Sequence, residues 1–417
     1  MSRRIKHIRH LGVLVIVFAL FAAACGDDTT TTTTTEGGAG SVDLTIGYLL
    51  PQTGALSGII DALVKPLEMG VAEIAAAGDT VTLVPGDDGT DPAVATVTAE
   101  RELNAGVDAI IGPAATGVSL SVIDRITGAE VPMCSPSNTG SIFTTYDDGG
   151  YYFRTAPPDN LQGKVHADLI TEDGATRVAV AYRSDEYGRG LAQSIKDALE
   201  ANGVEVAEFI EFDKDGTSFD AEAATIAAAG VDAISFIPFA EGAAFLQALI
   251  EAGVGPQDVA IYTADGFVDN VSAADVDPNN PAVLEGMRAT YPSLAPPSGE
   301  PTFTERFAAF APGIPTIFSS HSYDCLMVEA LAAFAAGSND PKEIAAQMND
   351  VTRGGTKCSL YAECRQLLLD GVDIDYDGAS GLLDFIDAGE PAAGTYDILE
   401  YDGTGGTIPL RSVDISS

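Results

Sequence analysis

Apolar runs of strand length alternate with helix-length patterns from residue 44 to residue 141. TIGYLLP (45–51) is apolar enough along its length to be a strand covered on both faces, and it empties into the polar loop QTGALSG. A helical pattern follows from Ile59 to Ala77. VTLVPGDDGTDP (81–92) reads as strand then turn, with Asp91-Pro92 opening a helix from Ala93 to Ala105. AIIGPAATGVS (109–119) and VPMCSPSNTGS (131–141) begin as two more buried strands, with a helical pattern from Val118 to Ile126 between them. This βαβαβαβ rhythm predicts a doubly wound parallel sheet.

YYFRTAPPDN (151–160) breaks the rhythm with an extended, Pro-containing passage, the first crossover to a second lobe. The pattern then restarts. TRVAVAY (176–182), VEVAEFIEF (204–212), VDAISFIPF (231–239) and VAIYTADGF (259–267) read as strands. Helices fall between them, one ending at Asn202-Gly203, one over 219–230 and one from Glu241 to Ala252. VLEGMRATYP (283–292) is strand-like, Thr302 to Ala311, Ser320 to Ala336 and Pro341 to Met348 read as helices, and LLDFID (382–387) and TYDILEYDG (395–403) as strands. The later pieces complete the first lobe and return to the second. The expectation is an α/β chain of two doubly wound parallel-sheet lobes joined by a three-strand hinge, with 42–156 plus 290–385 as lobe 1 and 157–289 plus 386–417 as lobe 2. No strict sequence repeat relates them.

The chemistry gathers where the strands at 109–111 and 131–135 break, through Gly112-Pro113 and Ser135-Pro136, into small hydroxylic residues. Strand ends that lead into helix N-termini present free N–H groups and a positive dipole end, which suit a carboxylate or another small anion. Thr116, Ser137 and Thr139 add hydroxyls there. Ordinary βα turns are the alternative reading.

Composition changes the picture at the N-terminus. Arg3, Arg4, Lys6 and Arg9 precede the apolar run Leu11 to Leu20, which is too short to span a membrane, and FAAAC (21–25) follows. Residues 1–24 read as a signal peptide with Cys25 as the lipidated first residue of the mature chain; an ordinary cut near Ala24 is the alternative. Residues 26–41, rich in Thr, form a polar tether. Loss of the four basic residues of the signal segment moves the formal charge from −40 to −44. Such a surface repels nucleic acid and anionic headgroups, so no nucleic-acid partner is expected and the membrane is reached only through the lipid. Four cysteines remain, and an exported chain permits disulfides. Cys358 and Cys364 are near neighbours and bridge locally, which leaves Cys134 with Cys325. Zinc is the alternative, without a CxxC or paired His to support it.

Several ordered motifs carry a family resemblance: IGYLLPQTGALS, IIGPAATGVS, SPSNT, FRTAPPDNLQG, DEYGRG, YTADG, SYDCLMVEAL and YDGASGLLDF. Over residues 42–405 the chain resembles the substrate-binding proteins of branched-chain (Leu/Ile/Val) amino-acid ABC transporters, which have the type I periplasmic binding fold. The resemblance implies that Thr116 and its neighbouring amides meet a ligand carboxylate. It implies that Ser137 and Thr139 bind the amino-acid backbone through a carbonyl and a hydroxyl, and that Tyr187 closes over the ligand. Asp265 takes the place of the acid that meets the ligand ammonium, Glu in the best-known members. Phe239 stands at a position often Tyr, and Phe318 falls near the side-chain pocket.

Other constellations are weaker. Asp373, Asp375, Asp377 and Gly378 match positions 1, 3, 5 and 6 of a calcium loop, with Asp384 at position 12. The following segment reads as a strand and the same stretch resembles the family's hinge turn, so no metal site is assigned. GVSLS around Ser119 is not GxSxG, no GxxxxGK[ST] is present, and His166 and His321 are isolated, read as surface or capping residues. No catalytic set and no cofactor is expected. The sequence describes a monomeric extracytoplasmic solute-binding lipoprotein that closes on a small amino acid or related carboxylate or amide. It delivers that ligand to a permease with ATPase subunits. A ligand-sensing receptor module of the same fold, acting on a signalling partner, is the alternative.

Overall fold

The first sheet comprises β1 (Asp43–Leu50), β2 (Thr80–Asp87), β3 (Ala109–Ile111), β4 (Met133–Ser135) and β5 (Tyr152–Arg154), all parallel, in the order β2-β1-β3-β4-β5. It is seen in a computed structural model that describes residues 40–268, 270–293 and 303–416. The segment expected as a signal peptide, Cys25 and all but the last two residues of the expected tether lie outside the described residues. Helices α1 (Ile60–Ala76), α2 (Pro92–Ala105) and α3 (Thr116–Thr127) connect the first four strands. The Asp91-Pro92 signal holds: the Asp91 carboxylate accepts from the N–H groups of Ala93 and Val94, and Pro92 supplies the first helical position.

The chain leaves this sheet after Arg154 and enters α4 (Asp159–Glu172). The second sheet then takes β6 (Arg177–Arg183), β7 (Glu205–Phe212), β8 (Ala233–Ile237), β9 (Ala260–Ala264) and β10 (Arg288–Pro292). They are separated by α5 (Glu186–Ala201), α6 (Asp220–Ala229), α7 (Gly242–Glu251) and the short α8 (Ala273–Val276). On α5 the buried Tyr187, Leu191, Ile195 and Leu199 recur every fourth residue, the single-faced stripe of a helix laid on a sheet.

Beyond Ser293 come α9 (Phe303–Phe310), α10 (Ser319–Ala336), α11 (Pro341–Gln347), β11 (Thr356–Cys358), α12 (Tyr361–Leu369), β12 (Ile374–Gly378) and β13 (Gly381–Leu382). The last three strands make a small third sheet. Helix α10 is buried from Ser319 to Ala333, with Ser319 and Ser322 hydroxyls donating to the carbonyls of Ala62 and Leu63 on α1. Disulfides Cys134–Cys325 and Cys358–Cys364 tie β4 to α10 and β11 to α12, both as paired from the sequence.

The chain then rejoins the second sheet through β14 (Ala393–Tyr401) and β15 (Thr407–Ser416), both antiparallel to their neighbours. The full order is β15-β14-β10-β9-β8-β6-β7. Its parallel part repeats the strand order of the first sheet, the second strand outermost, then the first, third, fourth and fifth. Two doubly wound sheets with three passages between them are therefore present, as the sequence pattern and the resemblance implied.

Some local readings are corrected. LLDFID supplies only Leu382 to the two-residue β13 and an isolated Phe385–Pro391 bridge, because the Asp384 backbone turns into the left-handed region. Helices α4, α8 and α12 and strands β11, β12 and β15 were not foreseen, and the passage read as a crossover at 151–160 first supplies β5 to the first sheet. His166 is a core residue and not a surface one: its ring nitrogens pair with the hydroxyls of Thr290 (3.1 Å) and Ser235 (3.0 Å), and burial lowers its pKa to about 3. His321 is likewise buried, lowered to about 3 for the same reason.

Candidate functional site

In a 2-1-3-4-5 sheet, ligands sit outside the strand C-termini near the point where strand order reverses. Both sheets have such an edge, and the two edges share one cavity. It is narrow as it stands: about 340 Å³ is free of atoms once the open solvent at its mouth is included, and about 20 Å³ of that is room for water-sized groups. From the first sheet come Leu56 and Ile59 after β1, Ala114, Ala115 and Thr116 after β3, and Ser137 after β4. From the second come Tyr187 after β6, Phe239 after β8, and Asp265, Gly266 and Asn270 after β9. Ile317 and Phe318, ahead of α10, complete the wall.

On the first edge the loops brace each other. The Ser135 hydroxyl donates to Pro113 O (2.7 Å), the Ser137 hydroxyl to Ala114 O (3.0 Å) and the Asn138 amide to Ala114 O (2.7 Å). Gly112 is required here: at φ 111° its missing Cβ would stand 2.1 Å from Leu49 O. The N-cap of α3, Ala115, has no side-chain hydrogen bond, so the helix opens on the cavity with uncapped N–H groups beside the Thr116 hydroxyl. An anion placed there meets donors and a helix dipole.

The second edge is aromatic and acidic. Tyr187 and Phe239 stack with centroids 5.1 Å apart, and the Arg183 guanidinium lies 3.7 Å from the Phe239 ring centre. Arg183 is itself buried and held by Asp185 and Glu241, each at 2.7 Å, and Glu241 also accepts from the Phe239 N–H. Asp265 is buried in the cavity wall and accepts from Gln162 Nε2 at 2.6 Å. Burial pushes its carboxyl up to about 6, against the Gln162 hydrogen bond that lowers it. Phe318 adopts left-handed backbone geometry, φ 52°, uncommon for a bulky residue and found here at a cavity wall.

Of the residues singled out in the sequence, Thr116, Ser137, Tyr187, Phe239, Asp265 and Phe318 line this one cavity. Thr139 stands behind it: its carbonyl accepts from the Asp159 N–H at 2.6 Å and its hydroxyl favours the ionised Asp159. Sequence reasoning missed Asp159, Gln162, Arg183 and Asn270. Asp159 and Gln162 stand three apart in FRTAPPDNLQG, one turn of α4, and that spacing of two polar residues on one helix face is the local signal for them.

Two other places are set aside. A larger cavity of about 920 Å³ lies at the passages between the sheets, lined by Thr155, Pro157, His321, Leu383 and Gly394, among others; Asp414 is the charged residue in its wall. Thr155 and Ser293 in its wall directly follow β5 and β10, the last parallel strand of each sheet, away from the loops after β1, β3 and β4. At the Asp373–Asp377 stretch, the Lys357 ammonium lies 3.0 Å from Asp375 and 2.8 Å from Asp377, with Asp384 at 3.9 Å. A lysine ammonium thus lies among three of the four carboxylates considered for calcium.

Residues 43–356 match the family described as periplasmic binding protein. The Leu/Ile/Val-binding protein homolog 2 of Brucella abortus is 29% identical over 325 residues, 75% of this chain and 84% of that one. A leucine-, isoleucine-, valine-, threonine- and alanine-binding protein of Pseudomonas aeruginosa is 27% identical over 277 residues, 62% of this chain and 68% of that one. Among solved structures, a leucine-binding protein of Thermotoga maritima superposes with a TM-score of 0.74 at 21% identity, covering 89% of this chain and 98% of that one. A solute-binding protein of R. palustris in complex with benzoate gives 0.73 at 18% identity, covering 90% and 98%. With three quarters of its length matched, the chain belongs to the periplasmic binding protein family, whose members bind solutes and are not enzymes.

Proposed function

We propose that this chain is the extracytoplasmic solute-binding component of an ABC importer and that it captures a small amino acid, or a related carboxylate or amide, between its two lobes. One observation carries the reading. A hydroxyl-lined, uncapped helix terminus on one sheet edge faces a buried carboxylate, Asp265, on the other. That arrangement suits a ligand with an anionic and a cationic end. The α-carboxylate takes the Thr116 side and the ammonium the Asp265 side, while Leu56, Ile59, Ile317 and Phe318 offer apolar surface to a side chain. A ligand touching both lobes stabilises the closed arrangement alone, which is the form a permease would read. The names of the Brucella and Pseudomonas relatives support an amino-acid ligand. The benzoate-bound neighbour makes aromatic carboxylates the competitor to test.

Isothermal titration of the mature chain with Leu, Ile, Val, Ala and Thr, and with benzoate and acetamide, decides among them. Binding of one or more amino acids supports the reading. Binding of benzoate alone removes the ammonium from it, and binding of none of them overturns it. We further propose that Cys25 carries a diacylglycerol anchor. Cys25→Ser should release the protein from the membrane fraction; a diacylated mass in that variant excludes the anchor at Cys25.

A further inference from the structure

Asp159 is the first residue of α4 and is wholly buried. Both its carboxylate oxygens lack a hydrogen-bond partner in good geometry, the Thr139 hydroxyl being the neighbour that favours its charge. Asp265, in the cavity wall, is close enough to repel it, and Asp185, ahead of α5, repels it too. The Tyr187 phenol from α5 and the Tyr396 phenol from β14 feel both Asp159 and Asp265. Arg154 of β5 is the cation in range, but its guanidinium is committed elsewhere. It bonds to Glu390, to the carbonyls of Asn138 (3.2 Å) and Gly140 (2.8 Å), and to the Thr144 hydroxyl (3.2 Å). His166, two turns along α4, is neutral and spent on Thr290 and Ser235. The Gln162 Oε1 and the Tyr187 hydroxyl are also buried without a partner in good geometry. The cluster behind the cavity therefore holds two carboxylates and no uncommitted cation among the described residues.

Two neighbouring buried carboxylates resist ionising together, because each charge loses hydration and repels the other. Their protons belong to the pair and leave in steps. Burial pushes Asp159 up to about 7 and Asp265 to about 6, so near neutral pH the empty site retains part of a proton. A ligand ammonium at Asp265 supplies the missing charge.

We propose that the cationic end of the ligand expels a proton from the Asp159–Asp265 pair, which couples capture to proton release and selects ammonium-bearing solutes over neutral or purely anionic ones. This rests on the functional reading above, in which a ligand cation meets Asp265. The sign follows from linkage: the empty-state pKa values are raised and the ligand lowers them. Affinity is complete above the raised values and falls as pH drops through about 7 and then about 6.

The test is calorimetry of the mature chain with Leu, Ile, Val, Ala and Thr at pH 6.5, in phosphate and in imidazole, whose ionisation enthalpies differ. The expected result is a buffer-dependent heat corresponding to release of between half a proton and one proton per ligand, roughly, and an affinity about tenfold weaker at pH 6 than at pH 7.5. In Asp159→Asn, binding should persist while the proton release and the pH slope shrink by more than about half. Binding with the same heat in both buffers overturns this inference and leaves the amino-acid reading standing. Unchanged release in Asp159→Asn overturns the role of Asp159. Binding of none of the five overturns both. Should the variant fail to fold, the wild-type buffer comparison still decides.

Discussion

The two sheets share a strand order and differ in the chemistry of their edges. Strands β1, β3 and β4 end in backbone, hydroxyls and small side chains, at Ala114, Ala115, Thr116 and Ser137. The corresponding strands β6, β8 and β9 end in Tyr187, Phe239 and Asp265. The bracing differs as well. On the first edge it runs from hydroxyls and an amide to carbonyls, and β4 is pinned to α10 by the Cys134–Cys325 disulfide. On the second it runs through a buried arginine between two acids and an aromatic stack, with no disulfide among the described residues of β6 to β10. The repeated topology places the two edges in register. The loops decide that one edge offers hydroxyls and uncapped N–H groups and the other aromatic rings and a carboxylate.

That contrast can be broken from either side. The largest effect expected is on the first lobe's stability. Replacing Cys134 and Cys325 by Ala removes a bridge between residues 191 apart, for which chain entropy gives about 5 kcal/mol. Urea unfolding should show an earlier transition for the first lobe, with the second little changed; a fall of the same size in both lobes would mean that they unfold as one body.

Next is the second edge. Asp265→Ala leaves a bound ammonium buried and unpaired, which costs about 3–5 kcal/mol. That corresponds to roughly two to three and a half orders of magnitude in amino-acid affinity. Asp265→Asn should weaken binding as well, since the amide keeps an acceptor but loses the charge, and the melting temperature of the empty protein should hardly move. Unaltered affinity in Asp265→Ala would place the cation elsewhere.

Thr116→Val tests the opposite pole. Loss of one hydrogen bond to a carboxylate costs about 1.5–3 kcal/mol, one to two orders of magnitude in affinity. The effect should appear equally for amino acids and for any carboxylate that binds without an ammonium. An effect on amino acids alone would reverse the assignment of the two edges.

The smallest effect belongs to Ser137→Ala, which removes one brace to the Ala114 carbonyl. A loss of about 0.5–1.5 kcal/mol in stability is expected, with affinity changed only a few-fold. A larger loss of affinity than of stability in a paired melt and titration would show that Ser137 meets the ligand and does more than hold the loop.

Much of the fold was legible because parallel strands buried on both faces read as continuous apolar runs, and because turns and caps have local signatures such as Asp91-Pro92. Four strands of the first sheet, helices α1, α2, α3 and α10 and the disulfide partners followed from such patterns. Helix α4 did not, because its buried face carries Gln162 and His166 where a pattern of apolar residues would be sought. Their burial is satisfied by Asp265 and Thr290, and by Ser235 and Thr290, from strands and loops 69 to 128 positions away. Strand β15 failed for the opposite reason: it lies at an edge, almost wholly exposed, so neither its pattern nor its burial marks it.

The site divides the same way. Local sequence determined which loops end the strands and which hydroxyl, aromatic and acidic groups they carry. Tertiary structure alone decided that β1, β3 and β4 would face β6, β8 and β9 across one cavity. It also decided that Asp159 would lie behind Asp265 with no cation to spare among the described residues, and that Lys357 would stand among the aspartates that resembled a calcium loop. The physical reason is that backbone pattern is set by neighbours a few residues apart. The charge and partners of a buried polar group depend on segments brought together only when the chain closes.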